Sequence, residues 1–184
     1  MENRFGLCGA LALILLAPLL HGAAPVAPPA ALVEDSVRFS RCGQGTLRWK
    51  SVLKVYDVAL HFGPGVNAAQ IFEDIPTRLQ LGYHRGLTAV DIIKGGDELL
   101  RRNLDAATLT ALGGRLAQLN RAYVDVKEGD SYTLTYVPSV GTTLRLNGKS
   151  LVTIPGHDFA SAYFRIWLGK DPISGALRDQ LLGR

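Results

Sequence analysis

The stretch from Ser131 to Ile154 constrains the fold more than any other part of this 184-residue chain. Ser131-Tyr-Thr-Leu-Thr-Tyr-Val137 alternates apolar and polar side chains, the mark of a half-buried strand. Thr142 to Leu146 and Ser150 to Ile154 read as two more strands. Between them Asn147-Gly148 supplies two residues that tolerate the positive φ of a tight hairpin. Pro155-Gly156 breaks the run. Three short strands joined in this way make an antiparallel meander.

The rest of the chain is read around that meander. Residues 47–62 are rich in β-branched and aromatic types and read as one long bent strand or a strand pair, stopped at Gly63-Pro64-Gly65. Within it Tyr56, Val58 and Leu60 share one face, and Val55, Asp57 and Ala59 the other. Asn67 to Asp74 reads as a short helix, and Arg78 to His84 as a strand. Thr88 opens a helix to about Arg102, its side chain placed to cap the Asp91 amide. Gly95 and Gly96 interrupt that helix at about 1 kcal/mol each against Ala. Such a cost fits close approach by a ligand or by another backbone equally well. Ala106 to Tyr123 is a second helix, and Leu109, Leu112, Leu116, Leu119 and Tyr123 form its core stripe. Asp158 to Leu168 is a helix closed by Gly169, and Ser174 caps a last short one. Strands, two helices, a meander and more helices give an α+β fold with one antiparallel sheet.

The N-terminus carries a different signal. Arg4 precedes an apolar stretch, Phe5 to Leu20, which is followed by small residues at Gly22, Ala23 and Ala24. This is the secretory order. Residues 1–24 therefore read as a signal peptide cut within 22–27, residues 25–31 as an extended Pro/Ala linker, and residues 32–184 as a single domain. The mature chain is expected in the periplasm or outside the cell, touching a membrane only through an uncleaved signal segment. Cleavage leaves Cys42 as the lone cysteine, so no internal disulfide forms and the core must hold the fold. Cys42 itself reads as a small, partly buried residue.

Hydrophobic residues make up 47% of the chain and charged residues 20%, a folded composition. The net charge of +4 is dispersed, with Arg101-Arg102 as the densest basic cluster, which excludes an obvious nucleic-acid surface. His21, His61, His84 and His157 show no paired ligand spacing, so no metal is expected. Gly43-Gln-Gly45 lacks the third glycine opening a helix that a phosphate loop needs, so no cofactor is expected. Ser139, Ser161 and Ser174 sit in no nucleophile elbow. Asp57, inside an apolar run, reads as a residue on a solvent-facing pleat or at a bulge rather than a buried carboxylate of raised pKa.

Four stretches taken together carry a resemblance. They are Leu47-Arg-Trp-Lys-Ser-Val-Leu-Lys-Val-Tyr-Asp-Val-Ala-Leu60, Arg78-Leu-Gln-Leu-Gly-Tyr-His-Arg-Gly-Leu87, Gly129 to Phe159, and Phe164-Arg-Ile-Trp-Leu-Gly-Lys-Asp-Pro-Ile-Ser174. The chain resembles the bacterial exported branch of the chalcone isomerase-like family from about Leu32 to Leu182. The resemblance implies an open-faced β-sandwich, an antiparallel sheet covered by helices with a ligand cleft between. Plant members cyclise chalcones, and the resemblance places their arginine at Arg48 and their catalytic threonine at about Tyr56. Their tyrosine and asparagine fall near Ala89 and Gly96, and a late threonine or serine near Ile166. Most of that polar set is therefore missing, and cyclisation needs positioned donors for a developing enolate. The resulting expectation is an exported, non-catalytic binder of a fatty acid or similar amphipathic carboxylate, with no catalytic residue assigned. Its ligand-binding residues are Arg48, Tyr56, Arg85, Gly96 and Ile166, with a buried guanidinium as anchor. A divergent intramolecular lyase or isomerase, and an interaction module with a vestigial cleft, are the alternatives.

Overall fold

Asn147 and Gly148 both adopt positive φ, 49° and 82°, and turn the chain tightly between two strands, as the dipeptide requires. The computed structural model describes residues 34–50 and 52–184, so the signal-peptide and linker readings lie outside the described residues. Six strands follow one another as antiparallel neighbours in a single sheet: β1 (Ser40–Trp49), β2 (Leu53–Phe62), β3 (Thr77–Tyr83), β4 (Ser131–Val137), β5 (Gly141–Leu146) and β6 (Lys149–Ile154). The helices are α1 (Ala89–Asn103), α2 (Ala106–Asn120), α3 (His157–Tyr163), α4 (Arg165–Leu168) and α5 (Gly175–Leu181).

Period-two patterning decides which face is covered. Tyr56, Val58 and Leu60 point inward from β2, and β3 opposes them with Tyr83, Leu81 and Leu79 in register. Leu79 and Leu81 continue to Leu134 and Tyr132 of β4, and Leu134 to Leu144 of β5. Leu99, Leu100, Leu112, Leu119, Phe159 and Leu181 from the helices close over this row. Thr88 caps α1, its hydroxyl accepting from the Asp91 amide at 3.1 Å. The α2 stripe supplies buried Leu112 and Leu119.

The other face is only partly covered. Glu34 is buried there between the guanidinium groups of Arg78 and Arg145, and Arg78 stacks on Phe39. Asp57 lies on this face, exposed. It accepts from the Thr46 hydroxyl at 2.6 Å and pairs with His84 at 2.8 Å, and the Thr46 bond leads in holding its carboxyl below the usual range. The solvent-facing pleat is thus the correct reading, and a raised pKa is not.

The expectation for residues 47–62 is met as a pair, with two corrections. The first strand ends at Trp49 and the second starts at Leu53, and the first begins earlier than expected, at Ser40. Gly43 and Gly45 hide that strand because they look like loop residues. Their role is close packing: a Cβ on Gly43 would stand 2.2 Å from the Gln180 carbonyl oxygen of α5, and one on Gly45 would stand 2.6 Å from Leu177 Cδ1. The helix expected over 67–74 shrinks to a 3-10 turn, Ala68–Gln70, capped by Asn67. Cys42 is half-buried on β1, where burial pushes its thiol up.

Candidate ligand cavity

A cavity of about 710 Å³ opens between one end of the sheet and the helices. Its size falls in the range of small-molecule sites. The sheet wall comes from Leu47, Tyr56, Leu81, Tyr83, Tyr132 and Leu134. On α1, besides Asp91 at the rim, the lining residues are Ile92, Gly95, Gly96 and Leu99. They fall at i, i+3, i+4 and i+7 and so form one helical face. Opposite them stand Tyr163, Ile166 and Trp167. The glycine pair now has its explanation. A Cβ on Gly96 would sit 3.7 Å from Ile166 Cδ1 and 3.9 Å from the Tyr163 hydroxyl, while Gly95 faces open space. The glycines widen the cavity rather than permit helix-on-sheet contact.

All five residues singled out from the sequence line this one space: Arg48, Tyr56, Arg85, Gly96 and Ile166. Ala89 does not. One expectation about them needs correction. Neither arginine is buried; both are exposed. Arg48 is the penultimate residue of β1 and Arg85 follows the end of β3, beyond the part of the sheet that the helices cover. Arg48 donates to the Val52 carbonyl at 3.4 Å, and among the described residues neither guanidinium meets a carboxylate. Asp91 also lines the cavity and is exposed, accepting from the Thr88 hydroxyl at 2.7 Å.

Deeper in, tyrosines dominate. Tyr56, Tyr83, Tyr123, Tyr132 and Tyr163 all line the cavity, and each is buried. Tyr132 is tied to Val124, donating to its carbonyl and accepting from its amide, both at 3.0 Å. Tyr56 accepts from the Trp167 indole nitrogen at 3.0 Å. The Tyr123 and Tyr163 hydroxyls share one hydrogen bond of 2.8 Å. Burial is the leading cause that raises the pKa of Tyr56, Tyr83, Tyr123 and Tyr163, so all four are neutral phenols at physiological pH. Sequence reasoning found only Tyr56 among them. Tyr123, expected to end the core stripe of the second helix, lies past the end of α2 at Asn120, and it lines the cavity. Tyr83, Tyr123 and Tyr163 meet only through tertiary structure, with no local spacing to announce them.

The chalcone isomerase-like family model matches residues 25–183. No curated protein matches the chain by sequence. Among solved structures, a fatty-acid-binding protein of Arabidopsis thaliana is similar in fold, with a TM-score of 0.57 at 13% identity, covering 80% of this chain and 87% of that one.

Proposed function

This chain belongs to the chalcone isomerase-like family, and we propose that it is an exported, non-catalytic member holding a fatty acid or similar amphipathic carboxylate in its cavity. The observation that carries this reading is the pairing of an apolar cavity with two guanidinium groups at its mouth that meet no carboxylate among the described residues. A hydrocarbon tail gains about 0.8 kcal/mol per buried methylene on entering such a space. The head group then lies where Arg48 and Arg85 reach it and water still solvates it. Tyr56 offers a further donor, because Trp167 occupies its oxygen as an acceptor and leaves its proton free. The fatty-acid binding of the Arabidopsis neighbour supports the same ligand class.

The absence of a fitting base among the lining residues favours binding over isomerisation. The phenols are held protonated, and Asp91, the one carboxylate lining the cavity among the described residues, is exposed and hydrogen-bonded to Thr88. Export follows from the signal-like order of residues 1–24. Native mass spectrometry of protein purified from its own host tests the reading. The expected result is a mature chain beginning within residues 22–27 and carrying one fatty acid. A ligand-free chain that turns over a chalcone would overturn it.

A further inference from the structure

The cavity holds more hydrogen-bond donors than a plain fatty acid uses. Tyr83 is 5% exposed, and its hydroxyl makes no hydrogen bond among the described residues. It is nevertheless not among the buried atoms without partners, so it keeps accessible surface on the cavity it lines. The Tyr123–Tyr163 bond consumes one of the pair's two protons and leaves the other unspent. Tyr163 lines the same cavity, and its hydroxyl faces the helix at Gly96, where an added Cβ would come into van der Waals contact with it at 3.9 Å. Tyr132 provides the contrast, with both its donor and its acceptor roles filled by Val124.

A phenol that lines the cavity with its proton unspent can donate to whatever occupies that space. Buried phenols that exist only to pack are satisfied, as Tyr132 is, or are replaced by phenylalanine at no loss. We infer that Tyr83 and the Tyr123–Tyr163 pair form a second polar subsite, which receives a neutral oxygen acceptor on the apolar part of the ligand. The acceptor is neutral because this group of phenols includes no cation, and a carboxylate placed among uncharged donors would lose more in desolvation than it regains. The charged head belongs with Arg48 and Arg85 at the mouth. The ligand class is then an oxygenated acyl chain, one bearing a keto or hydroxyl group as well as its carboxylate. This inference rests on the amphiphile reading above.

The test compares stearic acid with a positional series of keto- and hydroxystearic acids of the same length, titrated into the full mature protein. At least one position is expected to bind roughly 3- to 10-fold more tightly than stearic acid, the gain of one neutral hydrogen bond. Tyr83→Phe, and the double change Tyr123→Phe with Tyr163→Phe, should each lower that preference, read as the ratio of the two acids' affinities within the same variant. Thermal unfolding of each variant checks that the fold survives. Equal affinity across the whole series, or a preference untouched in both variants, overturns the subsite and leaves the amphiphile reading standing. Failure of the wild-type protein to bind any of the acids overturns the amphiphile reading itself, and the subsite with it.

Discussion

The Tyr56 hydroxyl accepts a hydrogen bond from the indole nitrogen of Trp167 at 3.0 Å, joining β2 to α4 across the cavity wall. Both residues are buried, so the bond forms in surroundings less polar than water, where it is stronger. It fixes the direction of the hydroxyl. With its lone pair engaged by Trp167, the phenol presents its proton as the remaining hydrogen-bonding capacity.

Tyr56→Phe is therefore expected to act twice. The orphaned indole N–H should cost about 1–3 kcal/mol of stability. A carboxylated ligand should bind a few-fold more weakly for want of the phenol donor. Urea unfolding and ligand titration measure the two effects separately, and an unchanged stability would show that the bond is not formed in solution.

Arg48→Ala and Arg85→Ala test the mouth. Because both guanidinium groups are exposed, each is expected to contribute no more than a surface ion pair, about 0.2–1 kcal/mol. Fatty-acid affinity should fall roughly 1.5- to 5-fold for each change, with melting temperature unmoved. The effect should shrink as salt is added, since exposed charges are screened. A fatty alcohol of equal chain length should bind alike to wild type and variants.

Gly43→Ala should destabilise the fold by about 1–3 kcal/mol, because the new methyl would need the space of the Gln180 and Leu181 carbonyl oxygens, at 2.2 and 2.4 Å. Gly82→Ala on β3 meets nothing within 4 Å and serves as the control, neutral or slightly stabilising. Paired thermal melts compare them, and equal melting temperatures would contradict the close packing of α5 on β1.

Stability should also decline in acid, and its sign follows from the carboxylates. Arg115 grips Asp158 with two hydrogen bonds, one of them 2.8 Å, and holds its carboxyl below the ordinary 3.8. Arg102 does the same for Asp171, and the Thr46 hydroxyl leads in lowering Asp57. A carboxyl with a depressed folded pKa stabilises above its unfolded value and loses that contribution as pH falls through the folded one. Melting temperature should thus drop between about pH 5 and pH 2. Asp158→Asn should flatten part of that slope; an identical profile would remove Asp158 from the account.

Periodicity and turn chemistry made much of the fold legible. The strands of the meander, the Thr88 cap and the Asn147-Gly148 turn are local, and local physics specifies them. What stayed hidden was decided at a distance. Gly43 and Gly45 read as loop because their reason, α5 lying on β1, is more than 130 residues away in sequence. Arg48 was expected to be buried because the family resemblance supplied a role but not its depth. Tyr123 read as helix core, and Tyr83 and Tyr163 lay unmarked in a strand and a helix; only the tertiary fold, with the Tyr123–Tyr163 bond spanning 40 positions, turns them into one cluster.

The central claim is that an amphiphile occupies this cavity, and the chain carries its own reporters for that. Its two tryptophans, Trp49 and Trp167, both line the space. The most direct measurement is a tryptophan fluorescence titration with stearic acid, run on the wild type and on Gly96→Leu. The leucine starts 3.7 Å from Ile166 and must grow into the cavity. The account expects saturation at one ligand per chain in the wild type and its loss in the folded variant. No saturable change in the wild type, or the same curve from Gly96→Leu, would contradict it.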